Sequence, residues 1–262
     1  MPEGHTIHRL ARDHAPLLVG HPVSASSPQG RFATGAELLS GRTVARVDPY
    51  GKHLFYAFEG ELWLHVHLGL YGAFARGSGP PPEPRGALRL RMTAGEHWID
   101  LRGPTACELY TPEDRDRVLA RLGPDPLRPD ADVGEARRRL QRSAGRVGAA
   151  LMDQSVLAGV GNVFRAEILH ALRIAPDRPA ARVTDAEFDA LWSGLAVMMA
   201  RGVEDGRIIT VDVAPGQDRL DVPEALARRV YKRDGCADCG TPVLTTTVQG
   251  RTVYACPRCQ PG

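Results

Sequence analysis

The sequence predicts an α+β chain of two domains. An N-terminal β-sandwich with flanking helices is followed by a C-terminal helical domain that ends in a zinc ribbon. Three observations carry this. Runs of period two fill residues 43–109, helical periodicity takes over after residue 134, and four of the five cysteines fall in the last 27 residues. The expected boundaries are 1–122 for the sandwich, 123–134 for a linker, 135–229 for the helical domain and 230–262 for the ribbon.

Each element has a local reason. From Glu3 to about Leu18, Ile7, Leu10, Ala11 and Leu17 recur at helical spacing. "TVARVDPYGKHLFYAF" and "ELWLHVHLGLYGAF" then read as strands broken by turns, and "ALRLRM" and "HWIDL" continue the series. Leu88, Leu90 and Met92 alternate with Arg89 and Arg91, the pattern of a half-buried antiparallel strand. "LGPDPLRPDADVG" has three prolines, two glycines and no period, which suits a linker. After it, "GEARRRLQ" predicts a short basic helix, and "GAALMDQSVLAGVGNVFRAEILHALRI" predicts two helices split by a Gly-rich turn. "TDAEFDALWSGLAVMMARG" opens on a capping box, Thr184 with Glu187, and is expected to close at Gly202. Residues 203–229 predict a loop with a short helix.

Composition narrows the class. The 33 basic and 31 acidic residues leave a net charge of only +2, which does not by itself point to nucleic acid. Lysine occurs only at Lys52 and Lys232, so the remaining 31 basic residues are arginine, the better bidentate ligand for phosphate. The sequence contains no apolar run near the ~18 residues of a membrane span and no leader-like segment, so a soluble, cytoplasmic protein is expected.

Cys236-x2-Cys239, sixteen residues, then Cys256-x2-Cys259 has the spacing of one structural Zn²⁺ site. The intervening "VLTTTVQGRTVYA" predicts a β-hairpin turning at Gln249–Gly250, with Arg251 beside its tip and suited to a phosphate. Gly159 and Gly161 stand just before a helix expected near Asn162. Such a turn can cradle a phosphate on backbone N–H groups, and helix packing explains it about as well.

Together these motifs resemble the family of formamidopyrimidine-DNA glycosylase and endonuclease VIII. "PEG" stands at the start, "YGKHL" in a strand turn, "LMDQSVLAGVGNVFRAE" matches the helix–two-turns–helix element, and the four-cysteine ribbon with "QGR" ends the chain. The resemblance implies a bifunctional glycosylase and abasic-site lyase of base excision repair. With Met1 removed, the Pro2 nitrogen is the nucleophile and Glu3 the general acid. Lys52 contacts phosphate near the lesion and assists catalysis. Asn162 and Arg251 hold phosphates, with Arg251 also serving δ-elimination, and Gly161 belongs to the same DNA-binding turn. Glu167 matches a structural or catalytic acid of that element. Leu70 and Tyr71 are the expected wedge that fills the gap left by an extruded base.

The sequence departs from the family pattern twice. Thr6 replaces a common second acid, and no Phe follows Arg102 where purine-type enzymes carry their wedge loop. Both departures favour the endonuclease VIII branch and oxidised pyrimidines. Oxidised purines, or a non-catalytic damaged-DNA-binding protein, stay open as alternatives. The expected partner is damaged double-stranded DNA, with single-stranded or bubble DNA left open, bound by a monomer that has no membrane contact.

Overall fold

A computed structural model describes residues 2–248 and 250–262. Its contacts group the chain into two units. The first contains Pro2 and Ile7–Arg121, and the second contains Glu3–Thr6 and Leu122–Gly262.

The first unit contains α1 (Gly4–Leu18, beyond its first turn), β1 (Ser24–Ser26), α2 (Ala33–Leu39), β2 (Val44–Tyr50), β3 (His53–Phe58), β4 (Leu62–His67), β5 (Ala73–Ser78), β6 (Leu88–Ala94), β7 (His97–Arg102), β8 (Ala106–Tyr110) and α3 (Pro112–Leu119). The strands form two four-stranded antiparallel sheets, in the orders β1-β6-β7-β5 and β2-β3-β4-β8. Leu54, Tyr56, Leu64 and Val66 of one sheet share a single apolar cluster with Leu90, Met92, Ile99 and Leu101 of the other. That shared core makes the pair a sandwich. Ile7, Ala11 and Leu18 of α1 join the same cluster.

Two features of this unit differ from the sequence expectation. β1 and α2 lie in a stretch with no strong period. Arg91, expected on a solvent face, is buried, because its Nε and Nη2 donate to both carboxylate oxygens of the fully buried Asp100 at 2.6 and 2.8 Å. A bidentate partner satisfies the guanidinium without water.

The second unit contains α4 (Val133–Arg142), α5 (Val147–Ala150), α6 (Asn162–Ala171), α7 (Asp185–Asp205), β9 (Leu244–Val248) and β10 (Arg251–Ala255). Short 3₁₀ turns lie at Ala180–Arg182, Arg219–Asp221 and Glu224–Leu226. Val147, Leu151, Val160, Phe164, Ile168, Phe188, Leu195 and Met199 build its main core. The segment read as a linker is tied into this unit: Gly123 N–H donates to the Gln154 carbonyl, Ala158 N–H donates to that of Pro124, and Asp125 is fully buried.

The helix expected before the Gly-rich turn shrinks to the four residues of α5. Asp153 and Gln154 end it by offering side chains to the turn. Asp153 accepts from Ser155 N–H, while Gln154 accepts from Gly159 N–H and donates to the carbonyls of Met152 and Val160. Side-chain bonds of this kind compete with helix continuation.

α7 has the expected capping box at Thr184 and Glu187. It runs past Gly202 and stops at Gly206, whose φ of 72° is the left-handed value that favours glycine. Gly202 is a notch instead of a stop, since a Cβ there would meet the His5 ring at 3.1 Å. β9 and β10 pair antiparallel with Arg251 opposite Val248. Of the expected turn residues, Gly250 has a φ of 71° and Gln249 lies outside the described residues, as does Met1. No helix among the described residues is long and apolar enough to cross a membrane.

Candidate active site

The predicted residues divide between the two units. In the second unit, Glu3 is completely buried. Its carboxylate accepts hydrogen bonds from the backbone N–H groups of Gly161 (3.0 Å), Val163 (2.8 Å) and Phe164 (3.3 Å). These are the first N–H groups of α6, which have no partner within the helix. The positive end of the helix dipole faces the same carboxylate. The anion at this helix start is therefore the chain's own Glu3.

The glycines explain how it gets there. A Cβ on Gly161 would lie 2.2 Å from the Glu3 carboxyl carbon, so only glycine leaves room. Gly4 N–H donates to the Gly159 carbonyl at 2.8 Å, and a Cβ on Gly4 would lie 2.9 Å from the Gly159 Cα. The His5 ring packs edge-on against Phe164 with centroids 5.2 Å apart. Residues 3–6 are thus sealed onto the start of α6. The Thr6 hydroxyl, standing where the family often has an acid, lies 3.3 Å from His5 Nε2.

Asn162 is the first residue of α6 and does not cap it. Its amide nitrogen donates to the Thr252 carbonyl of β10 at 3.0 Å, and its oxygen accepts from Arg165. Arg165, which the sequence reading missed, is 1% exposed. It also donates to the carbonyls of Thr252 (2.7 Å) and Gly148 (3.3 Å). Burial, and then the charge of Arg251, lower its pKa to about 10, opposed by Glu3. An arginine three residues beyond the helix start, within an otherwise apolar run, is the signal that could have drawn attention to it. Arg251 itself is exposed at the start of β10.

Glu167 is also fully buried. It accepts from the backbone N–H groups of Arg229 (2.7 Å), Val230 (3.0 Å) and Tyr231 (2.8 Å) and from the Thr210 hydroxyl. The carboxylate is spent on fixing the entry to the ribbon.

The Sγ atoms of Cys236, Cys239, Cys256 and Cys259 all lie within 4.8 Å of one another. Three of the separations are 3.5, 3.5 and 3.9 Å, for Cys239–Cys256, Cys239–Cys259 and Cys236–Cys259. A tetrahedral ion with bonds of about 2.3 Å needs sulfurs about 3.8 Å apart, so this donor set fits Zn²⁺.

In the first unit, Pro2 is half-buried and Lys52 sits in the two-residue turn between β2 and β3, where Tyr50 pairs with His53. Gly51 supplies the positive φ of 55° that this turn requires at its first position. Leu70 and Tyr71 form another turn and are 58% and 88% exposed. Glycines pin that turn on both sides. Gly69 has a φ of 69°, and a Cβ on Gly72 would lie 2.3 Å from the Leu68 carbonyl oxygen. Two large apolar side chains are thereby held in solvent. Arg102 donates to Asp100 at 2.9 Å, as Arg91 does.

Comparison with known proteins gives this geometry a context. Residues 1–107 match the formamidopyrimidine-DNA glycosylase N-terminal domain, and residues 122–213 match the formamidopyrimidine-DNA glycosylase H2TH domain. Over 270 residues the chain is 48% identical to Endonuclease 8 1 of Mycobacterium tuberculosis, covering 99% of this chain and 100% of the relative. The chain belongs to the formamidopyrimidine-DNA glycosylase and endonuclease 8 family. It is accordingly a DNA glycosylase with abasic-site lyase activity that serves base excision repair. A formamidopyrimidine-DNA glycosylase of Thermus thermophilus is 34% identical over 266 residues, covering 99% of this chain and 98% of that one. Lactococcus lactis Fpg, solved in complex with DNA containing an abasic site, shares the family fold. It superposes with a TM-score of 0.81 at 20% identity, over 99% of this chain and 100% of that one.

Proposed function

We propose that this glycosylase removes oxidised pyrimidines from damaged duplex DNA through a Schiff base at the Pro2 nitrogen, then cleaves the strand by β,δ-elimination. The observation that carries the chemistry is the fixing of Glu3. Three amide donors and a glycine-only space hold the carboxyl of the residue that follows Pro2. Pre-positioning of this kind lets the carboxylate take up a proton and pass it on without a reorganisation cost at the moment of reaction.

With Met1 removed, Pro2 is a secondary amine. Its lone pair attacks the sugar C1′, and the electrons of the glycosidic C–N bond leave with the base, which takes up a proton. Glu3 takes the proton that the alkylated amine gives up and, as the general acid, delivers it to the sugar ring oxygen. Ring opening leaves an iminium, which acidifies the C2′ hydrogen. Loss of that proton expels the 3′ phosphate, and a second elimination expels the 5′ phosphate. Lys52, Asn162 and Arg251 hold the phosphates, and Leu70 and Tyr71 fill the gap in the stack. Gly161 and Glu167 act from inside, the first by admitting Glu3 and the second by fixing residues 229–231.

The pyrimidine preference rests on the exposed Leu70–Tyr71 turn and on the Gly103-Pro104 that follows Arg102 in place of a Phe. The relative that is named an endonuclease 8 is also the more identical, 48% against 34% for the Thermus glycosylase. Cys236, Cys239, Cys256 and Cys259 would hold one Zn²⁺, which supplies folding energy to a ribbon with little core of its own.

Borohydride trapping tests the chemistry. A covalent adduct with abasic duplex DNA is expected, and Pro2→Gly should abolish it. Binding without an adduct in the wild type would leave only a DNA-binding protein. Duplexes carrying thymine glycol, 5-hydroxyuracil or 8-oxoguanine test the specificity. Best turnover of 8-oxoguanine opposite C would move the enzyme to the purine branch.

A further inference from the structure

We propose that His170 is the hydrogen-bond donor that holds Cys236 as a metal ligand and sets how long the ribbon retains its ion. The inference rests on the zinc reading above.

His170 lies in α6, three residues after Glu167, and is 2% exposed. Its Nε2 is 3.2 Å from Cys236 Sγ. A metal-bound cysteine is a thiolate and can only accept a hydrogen bond, so the proton of this pair belongs to Nε2. Nδ1 is buried with no hydrogen-bond partner among the described residues. A proton there would be an unsatisfied donor, so the ring is held in the Nε2–H tautomer.

Two of the other sulfurs have donors within the ribbon. Cys259 N–H donates to Cys256 Sγ at 3.4 Å, and the Thr241 hydroxyl lies 3.3 Å from Cys239 Sγ. Four thiolates around Zn²⁺ carry a net charge of −2, and N–H donors relieve their mutual repulsion. Cys236 receives its side-chain donor from α6, 66 residues earlier in the sequence. One helix therefore supports the ribbon twice, through Glu167 on residues 229–231 and through His170 on the metal ligand itself.

Outer partners of this kind change metal affinity about 10–100-fold when removed. The test measures zinc release from the purified full chain to the chelating dye 4-(2-pyridylazo)resorcinol. His170→Phe keeps the bulk and loses the donor, and its release should be about tenfold faster or more. His170→Gln can present an amide N–H near the Nε2 position and should stay within about threefold of wild type. Equal release from wild type and His170→Phe overturns the proposal. So does a His170→Gln that releases as fast as the Phe variant, which would mean that ring packing alone matters. Should His170→Phe fail to fold, ¹⁵N spectra of wild-type His170 decide, since a protonated Nδ1 is incompatible with the role. The zinc content of the wild-type protein separates the two readings. Absence of stoichiometric metal removes the zinc site itself, whereas bound zinc with unaltered release removes only the role of His170.

Discussion

Glu3 and Gly161 depend on each other for a physical reason that is local and sharp. A carboxylate with no exposure needs donors, and α6 has N–H groups to spare at its start. Adding one methyl group at Gly161 places carbon 2.2 Å from the carboxyl carbon, so the acid has to leave. Gly161→Ala should therefore cost roughly 2 kcal/mol or more of stability, through stranded donors and a displaced charge. It should also lower lyase turnover as strongly as Glu3→Ala, with the apparent DNA affinity changed much less. Chemical denaturation and single-turnover cleavage of abasic duplex would check both. Normal cleavage by Gly161→Ala would show that Glu3 need not sit where the structure holds it.

At the scale of elements, α6 connects most of what the chemistry needs. Its start receives Glu3, Asn162 and Arg165 bond to the Thr252 carbonyl of β10, and Glu167 and His170 hold the ribbon. The hairpin that β10 completes carries Arg251 out into solvent on a short antiparallel support. If that guanidinium neutralises one phosphate, Arg251→Ala should reduce the slope of log K against log salt by about 0.9. An unchanged slope would take Arg251 off the DNA.

Much of this was legible in the sequence, because periodicity and spacing report on single elements. The strands of the sandwich, the capping box at Thr184 and the paired cysteines all follow local rules. What escaped depends on partners far away in sequence. The Gly159–Gly161 turn reads equally as a phosphate cradle or as helix packing until Glu3, 158 residues before Gly161, is found on its N–H groups. Arg91 and Arg165 look like surface charges until Asp100 and Thr252 are found beside them, and Glu167, expected as a structural or catalytic acid, gets its particular task only from the 229–231 backbone. Gly202 imitates a helix stop because the ring that requires its bareness, His5, lies at the other end of the chain.

For the whole molecule, the three histidines whose pKa values fall furthest and the metal ligands belong to different units, so mild acid and chelation should loosen different parts. His14 is fully buried with Nδ1 2.7 Å from the Tyr56 hydroxyl, and burial, then Arg76, lower its pKa to about 3. Burial, then His65 and His67, lower that of His53 to about 3. Burial lowers that of His65 to about 4, against the pull of Glu108. In an unfolded chain each would titrate near 6.5. Between about pH 6.5 and pH 4 the unfolded state thus binds more protons than the folded one, and stability falls as pH falls. Each histidine adds up to about 1.4 kcal/mol per pH unit to that slope. All three belong to the first unit, whereas the four cysteines belong to the second. Hydrogen exchange at pH 5 should accelerate first in α1, β3 and β4, and His14→Gln should flatten the acid slope. Chelation at pH 7.5 should instead expose residues 229–262. Acid exchange that begins in α6 and α7 would show that these buried histidines do not govern the response.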